Sequence, residues 1–203
     1  MKQRCLIVLI LLGGFGVGTA YADSDGYYCA GRGYVAYQFG FAAPPIGPHR
    51  LYVVRFGGTS GIEAAAVLDL PQFQVHGILC GERTVEIAAY DAIYSVRLDA
   101  AKRPIGYDTT PWADHQSTPP QFVGHSLNLG ALSRAARDLK VQRESLGTVD
   151  GGGQYLLAIS AVAIPSDRCS SMVTTRLVRT DRNGHEVQQL EIFRGRAVHE
   201  CGE

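Results

Sequence analysis

The stretch Thr174–Phe193, TTRLVRTDRNGHEVQQLEIF, decides the fold. Asn183-Gly184 is the favoured pair for a two-residue type I′ hairpin turn, because both central residues must accept positive φ. Counting outward from that turn, Arg182 opposes His185. Leu177 then faces Leu190 and Thr175 faces Ile192 on one side, while Arg176 faces Glu191 on the other. An apolar face backed by an opposite-charge pair sorts without a slip, as a half-buried antiparallel ribbon requires.

The same pattern extends upstream. Tyr34–Phe39 and Leu51–Phe56 alternate and are rich in aromatic and β-branched residues, as strands are. Pro44-Pro45-Ile46-Gly47-Pro48 between them fits neither a helix nor a central strand. Phe73, Val75, Gly77 and Leu79 share one face, with Gln72, Gln74 and His76 on the other, and Gly81-Glu82 reads as a turn. Val85–Ile87 and Tyr94–Leu98 continue the strands, with Asp91 between them marking a bulge or bend. Tyr155–Ile164 is apolar on both faces, which predicts a buried central strand. One short helix is predicted where Leu132, Ala135, Ala136 and Leu139 share a helical face, with Gly147 beyond its end. The fold expected is mainly β: an antiparallel β-sandwich or partly open barrel with one short helix.

The N-terminus carries an export signal. Lys2 and Arg4 precede an apolar run dominated by Leu6–Leu12, and Thr19-Ala20-Tyr21-Ala22 places small residues at the −3 and −1 positions. Cleavage after Ala22 is expected, leaving residues 23–203 as a single secreted or periplasmic domain. Cys5 leaves with residues 1–22, and four cysteines in an exported chain imply two disulfides. Extending the hairpin register puts Cys169 opposite Val198, three residues short of Cys201, which predicts Cys169–Cys201. Cys29–Cys80 then follows by elimination.

The charge balance excludes one class of partner. With 19 basic and 19 acidic residues and a pI near 7.0, the chain has no nucleic-acid footprint. No stretch after the signal approaches the roughly 18 apolar residues of a membrane span. The glycine runs lack the strand–helix setting and lysine of a phosphate loop, so no cofactor is expected.

The longest aperiodic stretch, residues 99–121, holds the only tryptophan, Trp112, beside Asp114 and His115. Loops of that length in a small domain are usually functional or disordered. An aromatic with a carboxylate and an imidazole suits a polar ligand or a sugar face, so Trp112, Asp114 and His115 are the candidate binding residues. Asp114, His115 and His125 lack the spacing of a metal site, since adjacent residues rarely turn to one ion. The tyrosines Tyr27, Tyr28, Tyr34 and Tyr37 read as strand aromatics packed across neighbours.

Gly124-His125-Ser126-Leu127-Asn128 resembles the G-x-S-x-G nucleophile elbow of α/β-hydrolases. That resemblance implies Ser126 at a strand–turn–helix corner of a mainly parallel sheet. Asp150 or Asp167, then His185 or His199, would complete the triad. Asn128 replaces the final glycine, where close packing disfavours a side chain. The function expected is a disulfide-containing binding or interaction module for a glycan, a peptide or an envelope protein. A small secreted serine hydrolase and a structural envelope component, marked by an exposed apolar patch or open sheet edge, are the alternatives.

Overall fold

The computed structural model describes residues 24–41, 49–57, 61–71, 75–89, 92–112, 122, 126–128, 140–149 and 152–198. The signal segment 1–22 and the helix expected over Leu132–Leu139 lie outside them, as do Cys201 and the side chain of Cys169.

The chain runs as β1 (Ser24–Gly31), β2 (Tyr34–Phe41), β3 (His49–Gly57), β4 (Gly61–Ile62) and β5 (Ala66–Leu70), then β6 (Val75–Cys80), β7 (Thr84–Ala89), β8 (Ala92–Leu98) and β9 (Pro104–Pro111). A short strand, β10 (Ser126–Asn128), precedes β11 (Lys140–Thr148), β12 (Gln154–Ile164), β13 (Asp167–Thr180) and β14 (Glu186–Val198). They form three antiparallel sheets. In the first, β10, β1, β2 and β3 lie side by side, and β4 and β5 successively cover the free edge of β3. The second is the meander β6-β7-β8-β9 and the third the meander β11-β12-β13-β14.

Side-chain alternation turns these sheets into layers. On one face of the first sheet, Tyr28, Val35, Tyr37 and Val54 pack against Tyr155, Leu157, Ile159 and Leu177 of the third. On its other face, Cys29, Tyr34, Ala36, Leu51 and Val53 pack against Ile78, Val85, Ile87 and Val96 of the second. The first sheet is therefore a middle layer, and the expected sandwich carries a third sheet. Its consequence is plainest in β2, where Tyr34, Val35, Ala36, Tyr37 and Gln38 are all fully buried.

Specific bonds tie the layers. Cys29 and Cys80 form the expected disulfide, with Cα atoms 5.5 Å apart, between the middle and second sheets. Such a bond belongs to an oxidising, extracytoplasmic environment. Beside it, the Tyr34 hydroxyl donates to the carbonyls of Gly81 (2.7 Å) and Thr84 (3.2 Å). Across the other interface the Gln188 amide stands in for a strand: it donates to Ile62 O and accepts from Ile62 N, both at 3.0 Å.

Several expectations are corrected. The 181–185 turn has three loop residues, not two. Asp181 N donates to His185 O (2.9 Å) and Gly184 N to Asp181 O (3.0 Å), and of the turn residues only Gly184 has positive φ, +84°. The cause is the Asp181 side chain, whose Oδ1 accepts the N–H groups of Asn183 (2.8 Å) and His185 (2.9 Å) and stabilises the wider turn. Arg182 and His185 are thus not partners. Leu177–Leu190 and Arg176–Glu191 are opposed as expected. Beyond them a bulge at Ile192 sets Thr175 against Phe193, and Ser170 rather than Cys169 against Val198. The extra residue lets Ile192 and Phe193 both pack on the core.

In β6 a register shift at His76 puts Ile78 inside and Leu79 outside, reversing the face expected for Leu79. Gly147 ends no helix but lies in β11 at a bulge. Residues 99–121 are not one loop. Asp99–Arg103 is a tight turn and Pro104–Pro111 is a strand. β9 is an edge strand whose residues are half-buried or exposed, so it shows no apolar alternation, and an edge tolerates its two prolines. The strand expected at Tyr155–Ile164 is present as β12 and is central, flanked on both sides, but it is not buried on both faces: Val162 stands exposed on the outer one.

Candidate functional site

Trp112 is half-buried and immediately follows Pro111, which opposes Ala92 at one end of the second sheet. Asp114 and His115, the other two candidate binding residues, lie outside the described residues, as does His125. Trp112 leaves the β9 edge, and Phe122 is fully buried against Gly77 in β6, at the opposite edge of the sheet. Gly77 is required there, because a Cβ would collide with Phe122.

At the same end of the stack the middle sheet presents Gln38 and His49 toward the second sheet. The register Gln38–Leu51 and the pairing of His49 with Leu70 make them diagonal neighbours on one face. His49 is buried, and burial holds its imidazole pKa below the ordinary value, so the ring is neutral at pH 7. Gln38 is fully buried, and neither its amide oxygen nor its nitrogen has a hydrogen-bond partner among the described residues. An unpaired buried amide costs about 1–3 kcal/mol. Sequence reading missed both residues, since each occupies an ordinary position in a strand.

The hydrolase geometry is not the one found. Ser126 opens β10 and pairs with Tyr27 in an antiparallel ladder, whereas an elbow needs its serine at the turn between a parallel strand and a helix. Of the proposed partners, Asp167 is ion-paired with Arg196, and His185 Nδ1 lies 3.4 Å from Asp181 in the exposed turn. Asp150 and His199 lie outside the described residues. Among the described residues no three His, Cys, Asp or Glu side chains come together as a metal site would require.

Two concavities lie at the other end of the stack. One, of about 490 Å³, is floored by Ala64, Ala65 and Ala66 and rimmed by cations that are already engaged. Arg55 pairs with Glu63, and Arg103 with Asp99. Lys102 donates to the Glu82 carbonyl and sits 5.6 Å from the Tyr34 ring centre. The other, of about 750 Å³, is lined by Arg179 and Arg182 with Gly152. The outer face of the third sheet exposes Val141, Val162 and Met172 among ion pairs such as Arg143–Glu186 and Arg194–Glu191. Among the described residues no helix is long and apolar enough to cross a membrane. No family model, curated protein or solved structure matches the chain.

Proposed function

We propose that the chain is an exported binding module, released by cleavage after Ala22. It then works in the periplasm or outside the cell, recognising a glycan, peptide or envelope-protein partner at the end of the stack that carries Trp112. The observation that supports this reading is the setting of that residue. A half-buried tryptophan follows the edge strand of the second sheet, at the end of the stack where Gln38 carries a buried amide without a partner among the described residues. Aromatic faces with a few convergent polar groups are the usual means by which a rigid scaffold holds a sugar or a peptide side chain. Asp114 and His115 would supply polar contacts beside the ring.

The test uses Trp112 as its own reporter, since its fluorescence is the only indole emission in the protein. Oxidised mature protein is titrated with a panel of oligosaccharides and unstructured peptides. A true ligand shifts or quenches the emission saturably, and Trp112→Phe weakens its binding about tenfold or more. A ligand that binds Trp112→Phe with undiminished affinity and leaves the wild-type emission unmoved would refute the site.

A further inference from the structure

We propose that the concavity at the hairpin end of the third sheet binds an oxyanion, the carboxylate or phosphate group of a small ligand. The site lies at the opposite end of the stack from Trp112 and does not rest on the function proposed there. Most other polar side chains of its wall are already engaged. The Gln188 amide is consumed by both backbone atoms of Ile62. Asp181 Oδ1 is taken by the N–H groups of Asn183 and His185. Thr180 Oγ1 accepts the N–H of Gln154 at 3.0 Å.

The arginines, by contrast, are unspent. Arg179 Nε is buried without a partner, and neither Arg179 nor Arg182 forms an ion pair among the described residues. Seven other arginines, at positions 50, 55, 97, 103, 143, 194 and 196, each face a carboxylate. Arg32, Arg83 and Arg176 also lack one among the described residues, but Arg32 and Arg83 each stand exposed in a turn of their own and Arg176 donates to Gln189 Oε1. Arg179 and Arg182 line one concavity, whose single carboxylate, Asp181, is already engaged with backbone N–H groups.

Two glycines lie against this wall. At Gly61, φ +71°, a Cβ would collide with Gln188 and stand 3.2 Å from Arg179 Nη1. At Gly152, φ +94°, it would stand 3.0 Å from Arg182 Cβ. Bare backbone thus leaves room for the Arg179 head on one side and the Arg182 stem on the other. A guanidinium presents its N–H groups as a planar fork that matches the oxygens of carboxylate or phosphate. Such a group would satisfy Arg179 Nε, the donor the fold leaves open.

The experiment follows the arginine Nε–Hε signals of the oxidised mature protein by NMR, at physiological salt. Inorganic phosphate and glucuronate are the probes and sodium chloride is the control. The expected result is a saturable shift of the Arg179 signal with at least one probe, weakened about tenfold by Arg182→Gln, with Trp112 emission unchanged. Response to phosphate alone assigns a phosphate ligand, and response to glucuronate alone assigns a carboxylate. Arg182 is exposed, so Arg182→Gln leaves the fold intact and keeps the test decisive even where Arg179→Gln fails to fold. An unsaturating drift matched by chloride, meaning an adventitious ion only, overturns the proposal. So does an affinity that Arg182→Gln leaves unchanged.

Discussion

Tyr34 joins two layers through one oxygen. Its ring is fully buried, its hydroxyl donates to Gly81 and Thr84, and burial pushes its pKa up to about 12. In the unfolded chain the phenol ionises near 10. The folded protein keeps a proton that the unfolded chain gives up. The Tyr34 contribution to stability is therefore complete below pH 10 and drains away as pH rises toward 12. Ultraviolet titration of the native protein should reveal a late-ionising tyrosine, and Tyr34→Phe should cost about 1 kcal/mol in urea unfolding at pH 7. Ionisation of every tyrosine near pH 10 would contradict this account. The sequence already marked Tyr28, Tyr34 and Tyr37 as strand aromatics. It could not show that Tyr34 and Tyr37 serve different interfaces, because alternation says that neighbours diverge and not what each one meets.

The β13–β14 ribbon shows how far an element can be read from local rules. Leu177–Leu190 and Arg176–Glu191 were legible because apolar and charged residues sort by face. The turn was misread because Asn183-Gly184 favours one geometry while Asp181, two residues earlier, caps another. The bulges were invisible because an extra apolar residue such as Ile192 breaks no pattern when both it and Phe193 reach the core. Hydrogen bonds from the backbone N–H of His185, and then of Asn183, hold the Asp181 carboxyl below the usual carboxylate range. A depressed folded pKa gives stability that is present above the unfolded value, near 4, and lost as pH falls through the folded one. Thermal melts should therefore show Asp181→Ala less stable than wild type at pH 7, with the gap closing in acid. Equal melting temperatures at pH 7 would show that the cap does not stabilise the turn.

At the scale of the whole molecule, the class and the disulfide Cys29–Cys80 were legible, and the third layer was not. β2 reads as an ordinary alternating strand because both its faces are apolar enough to be buried, and a single sequence does not count the sheets that bury them. Trp112 stood out as the lone tryptophan in an aperiodic stretch. The concavity shared by Arg179 and Arg182 did not, because Gly152 reaches it from a turn distant in sequence. The disulfide joins residues 51 apart, a loop whose closure restrains the unfolded chain by about 4 kcal/mol. The variant Cys29→Ser/Cys80→Ser should lose most of that in urea unfolding, and a loss under about 1 kcal/mol would place the stability in the layers alone.

The two-sided middle sheet also sets a schedule. Residues 24–70 supply nearly all of it, whereas β11–β14, which cover one of its faces, come from residues 140–198. A chain delivered from its N-terminus exposes those strands long before their second cover exists, the condition under which apolar strand edges are open to mispairing. The middle layer is covered on both faces only once the last hairpin, β13 and β14, has arrived.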